Sequence, residues 1–178
     1  IVTGVQTCAL PISDNNIFEQ LPFKELKFLN LSNNQISNLK ISKSDQFKGL
    51  EELYLNWNDI SFIEINNDIE KINWKELKVL ELNYNKLSDI KIFEKIQFEK
   101  LEYLFLTDNK IPDIDVITKL NLKELIILNL NYNSISDIKS LAKTDLKQLE
   151  ELHLSGNKIS SINIMEKVKC PELKKLYL

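Results

Sequence analysis

The sequence contains no arginine, so all 23 of its basic residues are lysines. It therefore lacks the planar guanidinium group that commonly clamps phosphates and carboxylates through two parallel hydrogen bonds. With a net charge of -3, the chain also has no basic footprint for nucleic acid. No apolar run approaches the roughly 20 residues needed to span a bilayer. We therefore expect no nucleic-acid partner and no membrane partner.

Residues that commonly carry chemistry are also scarce. His153 is the only histidine and occupies an outward strand position, which is typical of a surface residue rather than a catalytic base. Cys8 and Cys170 provide neither a disulfide framework nor a metal-type cysteine pair. Glycine-rich phosphate loops and calcium-loop spacings are missing as well. We predict no catalytic residues, no cofactor and no metal, and so a protein that is not an enzyme.

What the sequence does contain is one pattern repeated along nearly its whole length. The stretch from Leu149 to Ile159 reads L-x-x-L-x-L-x-x-N-x-[IL], and this frame recurs from residue 26 onward. Its first leucine stands at positions 26, 50, 77, 101, 125, 149 and 173, which gives a spacing of 24 residues with one spacing of 27 between 50 and 77. A fixed period in this range is typical of a solenoid of stacked coils.

The frame itself predicts how the coils stack. In an extended segment its second and third leucines share one face, and the residues between them face the other way. Such short segments can bury their apolar face only by stacking into a parallel sheet. The asparagine at the ninth position would then bond the turn's backbone groups in its own and the neighbouring coil. We interpret these residues as a structural ladder formed by Asn34, Asn58, Asn85, Asn109, Asn133 and Asn157.

The second half of each repeat is ordered too. The residue three positions before each frame is apolar in nearly every copy, as in Phe47, Trp74 and Phe98. A recurring segment such as Ile135-Ser136-Asp137-Ile138 predicts a tight turn followed by a short extended or helical passage on the convex side. The longer spacing is predicted to add a bulge near residues 66–68 on that side.

These features resemble the leucine-rich repeat family over residues 13–178. The Asn-x-Ile-Ser-Asp-Ile continuation is similar to the subclass found in internalins and in the leucine-rich regulatory subunit of protein phosphatase 1. The resemblance implies an α/β fold, a curved horseshoe-shaped solenoid with a parallel β-sheet on the concave face. It also implies that a partner binds on that face.

Aromatic residues are concentrated at the outward third, fifth and eighth positions of the frame, which include all five tyrosines. Clustered exposed aromatic residues usually mark a binding surface, although β-propensity alone also favours them on a strand. Because neighbouring strands lie about 4.8 Å apart, the central coils should gather these side chains into one patch. The predicted partner-binding residues are Tyr54, Trp57, Val79, Tyr84, Tyr103, Phe105, Ile127 and Tyr132.

Residues 1–12 carry no charged side chain and no trace of the repeat. They resemble the in-frame translation of a sequencing-library adapter, so we expect a non-native segment there and exclude it from fold reasoning. Residues 13–26 align with residues 88–101, and the last frame breaks off at Leu178. We therefore expect a leucine-rich repeat domain over 13–178 that is truncated at both ends.

The function predicted from these observations is a non-enzymatic scaffold that binds another protein through its concave face. One alternative is the targeting arm of an enzyme, of the kinase or ligase type, whose catalytic domain is missing from this fragment. Another is a purely structural or adhesion array on a microbial surface. We favour the cytoplasm over a microbial surface, although no motif decides the compartment, and the oligomeric state stays open.

Overall fold

The computed structural model describes residues 11–13, 16–21 and 23–178. In this part of the chain, seven short parallel strands form one sheet in the order β1-β3-β6-β8-β9-β10-β11. These strands are β1 (Phe28–Asn30), β3 (Glu52–Tyr54), β6 (Val79–Glu81), β8 (Tyr103–Phe105), β9 (Ile127–Asn129), β10 (Glu151–His153) and β11 (Lys175–Tyr177). Each strand spans the third to fifth positions of a frame, and the register is constant along the sheet. The predicted solenoid with a parallel sheet on its concave face is confirmed.

The frame leucines form the core, because each strand turns its middle residue inward. In the first six strands of the sheet this middle leucine is at most 1% exposed. The residues on either side of it are only half-buried, giving an intermediate–buried–intermediate pattern in every one of these strands. These inward residues are Leu29, Leu53, Leu80, Leu104, Leu128 and Leu152.

On the opposite side, the later coils pass through short 3-10 helices. These span Lys91–Lys95, Asp115–Lys119, Lys139–Lys143 and Asn163–Lys167. In the first three, an aspartate two residues upstream accepts a hydrogen bond from the helix's first backbone N–H, as Asp89 does from Lys91 at 2.8 Å. Aspartate forms this local turn readily, so the repeated Asp starts the 3-10 segment.

The first two coils take an extended path at the same place. There, β2 (Asn38–Ile41) pairs in parallel with β4 (Phe62–Ile65). Asn38 and Phe62 stand where later copies have the turn-forming aspartate, and Phe62 is a residue that favours strands. Two further short strands, β5 (Ile72–Asn73) and β7 (Ile96–Gln97), pair with each other, and one helical turn, α1 (Ile17–Gln20), precedes the sheet.

The 27-residue spacing is absorbed by an exposed turn that follows β4. Residues 66–68 are all exposed, and the Ile69 N–H closes the turn on the Asn66 carbonyl at 2.9 Å. The extra residues therefore lie on the outer side, as predicted, and leave the register of the concave sheet unchanged.

Residues 1–10 and Cys8, which belong to the segment predicted to be non-native, lie outside the described residues. Ile12 is described and already makes the contacts of a repeat position. Its N–H donates to Asn34 Oδ1 at 2.8 Å, and its carbonyl accepts from the Gln35 N–H at 2.9 Å. Ile36 makes the same two kinds of bond with Asn58 and Asp59 in the next coil.

Candidate functional site

The concave sheet presents two rows of half-buried side chains. One row brings Val79, Tyr103 and Ile127 side by side, because strand register pairs Tyr103 with both of the others. The second row contains Tyr54 and Phe105, with Glu81 paired between them. The Tyr103 and Phe105 rings project from the same strand and lie parallel, with centroids 6.5 Å apart. Five of the predicted binding residues therefore share one continuous surface.

The other three predicted residues form a separate feature, which we call the aromatic ridge: Trp57, Tyr84 and Tyr132. They are 55%, 39% and 62% exposed, respectively. The Trp57 and Tyr84 rings stack with centroids 3.8 Å apart and planes 11° from parallel. The ring of Tyr132 lies over the backbone of Gly156, where an added Cβ would come within 2.5 Å of it. The exposed rings are thus held in place by neighbouring coils.

The ridge lies beyond the ends of the strands, in a turn with left-handed backbone. Trp57 and Tyr84 each have φ of 55°, and Tyr132 has φ of 53°. Non-glycine residues rarely adopt this conformation, which is held here by backbone hydrogen bonds between coils. The N–H of Trp57 donates to the Asn83 carbonyl at 3.0 Å, and that of Tyr84 to Thr107 at 2.8 Å. The eighth position therefore lies in a turn. Grouping it with the third and fifth positions had suggested a place in the strand, and that suggestion was wrong.

The ninth-position asparagines bond the turns of successive coils. Asn109 Nδ2 donates to the carbonyls of Leu106 in its own coil at 3.2 Å and Leu82 in the preceding coil at 2.9 Å. Its Oδ1 accepts from the Leu87 N–H at 2.9 Å. Asn58, Asn85, Asn133 and Asn157 repeat this arrangement, and Asn34 repeats it except that its Nδ2 donates to carbonyls of its own coil. Asn58, Asn85, Asn109 and Asn133 are buried, and the outermost two, Asn34 and Asn157, are half-buried.

A second polar ladder occupies the seventh position, which the sequence analysis did not single out. Asn56 Oδ1 accepts the Asn83 N–H at 2.9 Å, and Asn83 Oδ1 accepts the Thr107 N–H at 2.8 Å. The signal was present in the sequence as an unbroken column of small polar residues: Ser32, Asn56, Asn83, Thr107, Asn131 and Ser155. Together the two ladders fix the turn on both sides of the ridge position.

Carboxylates lie among the rings on this side of the molecule. The Tyr54 hydroxyl donates to Glu52 Oε2 at 2.7 Å, and Asn56 Nδ2 donates to the Glu81 carboxylate. Burial raises the pKa of Tyr54 above its usual range, and Glu52 and Glu81 add to the effect. Tyr54 is therefore a protonated hydrogen-bond donor on an acidic surface.

His153 contributes to a local cluster at the far end of the sheet. Its Nε2 lies 3.1 Å from Glu151 Oε2, and its ring stacks on Tyr177 with centroids 4.4 Å apart. Lys175 also approaches Glu151, at 2.7 Å, and these two partners lower the pKa of the Glu151 carboxyl, Lys175 more strongly.

The described ranges contain neither a metal-binding cluster nor a membrane-spanning helix. There, no group of three or more His, Cys, Asp or Glu side chains is placed to hold a metal ion. Across the same residues, every helix is too short or too polar to cross a membrane.

Several family models match the chain. A model described as leucine rich repeat matches residues 99–159 and 123–178. A second model, described as leucine rich repeats (2 copies), matches residues 75–122. A third, also described as leucine rich repeat, matches residues 25–44. No curated protein sequence matches significantly.

Solved structures with the same fold include an internalin (inlF) of Listeria monocytogenes, with a TM-score of 0.68, 24% identity and 93% of this chain covered. A leucine-rich repeat protein of Leptospira interrogans has a TM-score of 0.70 and 26% identity, with 86% of this chain covered. The plant peptide hormone receptor RGFR1 in complex with RGF2 has a TM-score of 0.59 and 24% identity, with 84% of this chain covered. This chain spans only 44%, 37% and 24% of those three chains, respectively.

The repeated leucine frame, the parallel sheet, the asparagine ladder and the matching family models agree, and the chain belongs to the leucine-rich repeat family.

Proposed function

We propose that this chain is a recognition module that binds another protein through its concave sheet and the adjoining aromatic ridge. The binding residues would be the eight named from the sequence: Tyr54, Trp57, Val79, Tyr84, Tyr103, Phe105, Ile127 and Tyr132. The proposal depends on one observation above all, the exposed and ordered rings of the ridge.

The core does not account for these rings, because the frame leucines already fill the interior. Nor does strand propensity account for them, because the ridge lies in a left-handed turn rather than in a strand. Exposed tryptophan and tyrosine side chains that are fixed before binding lose little freedom when a partner covers them. A stack such as Trp57 on Tyr84 is therefore suited to anchor a protein partner.

The solved structures support the same proposal. Among the proteins of similar fold is a plant peptide hormone receptor that was solved in complex with RGF2. A curved sheet of stacked coils offers a long open surface, which suits an extended segment of a partner.

The test begins with binders selected from a displayed library of protein fragments and compares their affinities for variants of the chain. Trp57→Ala combined with Tyr132→Ala removes two exposed rings of the ridge. Phe62→Ala is the matched control, because Phe62 is 51% exposed but lies in β4 on the opposite side. We expect the ridge variant to weaken binding at least about tenfold, as for hot-spot residues, and the control to leave it unchanged.

Thermal unfolding of each variant separates lost binding from lost folding. Variants in which the exposed ridge residues are replaced should unfold at nearly the wild-type temperature. Binders that tolerate the ridge variant, and also tolerate Tyr103→Ala with Phe105→Ala, would overturn the proposal.

A further inference from the structure

The outward positions of the frame carry acids but almost no bases. In the complete frames, the third, fifth and eighth positions hold Glu52, Glu81, Asp108 and Glu151 and no lysine. The chain as a whole has nearly as many bases as acids, 23 against 26. Lys175 occupies this surface only in the last strand, where it pairs with Glu151 at 2.7 Å. The predicted binding surface is therefore more acidic than the composition requires.

Three of these acids have no basic partner within the described part of the chain: Glu52, Glu81 and Asp108 form no ion pair with a lysine there. Glu51, at the neighbouring frame position, shows the contrast. It lies between Lys27 at 3.1 Å and Lys78 at 2.8 Å. Among the described residues, lysines thus neutralise Glu51 beside the binding surface and Glu151 at its far end, but not the three central carboxylates.

The unpaired acids also lie between aromatic rings of adjacent coils. Strand register places Glu81 between Tyr54 and Phe105. At the eighth position, Asp108 lies between Tyr84 in the preceding coil and Tyr132 in the following one. The same order of ring, carboxylate and ring therefore occurs in two separate rows.

This order suits a long basic side chain. An ammonium or guanidinium group gains from a carboxylate and from the face of an aromatic ring, while its methylene stem packs against the ring. Acidic or neutral segments would leave the carboxylates without a counter-charge at a dehydrated contact.

We propose that the partner segment on the concave surface is basic, with lysine or arginine side chains inserted between the rings beside Glu81 and Asp108. This rests on the proposed function, since it specifies the chemistry of the segment that the same surface binds.

The experiment selects binders from a displayed library of random short peptides and sequences the enriched pool. Selected peptides are then measured against Glu81→Gln combined with Asp108→Asn, which removes both charges and keeps the side-chain shapes. Glu64→Gln combined with Glu166→Gln is the control, because it changes the net charge equally at exposed positions outside the concave sheet. The Trp57→Ala and Tyr132→Ala double variant is measured alongside.

We expect enrichment in lysine and arginine, and a loss of at least about tenfold in affinity for the Glu81 and Asp108 variant but not for the control. The affinity should also fall as salt is added. A pool without excess basic residues, or equal losses in both charge variants, would overturn the inference. Peptides that need the ridge rings but not the two charges would overturn it while leaving the proposed function standing. Peptides that need neither would overturn both.

Discussion

Replacing Asn109 by alanine should destabilise the solenoid because one buried backbone N–H loses its partner. Asn109 is 8% exposed, and its amide bonds backbone groups of its own coil and of the preceding coil. Alanine preserves the backbone and removes every one of those bonds. The change therefore tests whether the ninth-position asparagine stabilises the stack of coils.

The expected magnitude follows from what each partner keeps. The Leu82 carbonyl still accepts from Asn85 at 3.1 Å, and the Leu106 carbonyl still accepts from Asn133 at 2.9 Å. The Leu87 N–H bonds only Asn109 Oδ1 among the described residues, so it is left unpaired. An orphaned buried donor costs about 1 to 3 kcal/mol, and we expect a loss of stability in this range.

Equilibrium urea unfolding, followed by far-ultraviolet circular dichroism, measures the change in the free energy of unfolding. Amide hydrogen exchange at Leu87 gives a local readout, since that N–H should lose protection more than its neighbours. Asn67→Ala is the control, because Asn67 lies in an exposed turn and its replacement should stay within about 0.5 kcal/mol.

An Asn109 variant within about 0.5 kcal/mol of wild type, with Leu87 still protected, would refute the reasoning. It would mean that the turns hold their geometry through the backbone bonds alone.

Three further results are expected. Leu104→Ala should lower the free energy of unfolding in urea by about 2 to 5 kcal/mol, because it opens a cavity in the core. Truncating the exposed leucine of the last strand, Leu176, should cost far less. Gly156→Ala should lower stability and displace the Tyr132 ring, visible as shifted ring signals in NMR spectra, because its φ is 71° and the new Cβ would clash with that ring. Gly49→Ala is the control, with nothing nearer than 3.9 Å to the added Cβ, and should be close to neutral. The pKa of Tyr54 is raised in the folded state, so its contribution to stability is complete below its unfolded-state pKa near 10 and should be lost as the pH rises through its folded-state pKa. In urea unfolding, the Tyr54→Phe variant should not show this loss of stability at high pH.

The inward half of the fold could be predicted because the leucine frame admits only one burial pattern. Leu80 and Leu82, two residues apart in one frame, share a face in an extended segment, and stacking is the only way for such short strands to bury it. The outer side was less predictable, since the same frame permits strands such as β4 or 3-10 helices. The residue at one frame position differs between the two cases: it is Asp89 in a coil with a 3-10 helix and Phe62 in the coil with β4.

The candidate site was predicted as a set of residues but not as a shape. Sequence spacing placed Trp57 and Tyr103 on one side of the molecule, but alternation cannot reveal where a strand ends. The left-handed turn at Trp57 depends on hydrogen bonds to the next coil, which lies 27 residues further along the chain. For the same reason, the sequence contains the seventh-position column of small polar residues but does not show the hydrogen bonds that join it into a ladder between coils.

The sequence by itself determined the coil period, the inward leucines and the columns that face outward, because all three follow from spacing along one chain. Only the tertiary structure decided that the ridge residues leave the sheet in a left-handed turn and that Trp57 stacks on Tyr84. It also decided that Glu81 and Asp108 lie between rings and, among the residues that the structure describes, form no ion pair with a lysine. These properties arise between coils, from contacts and hydrogen bonds that no single repeat contains.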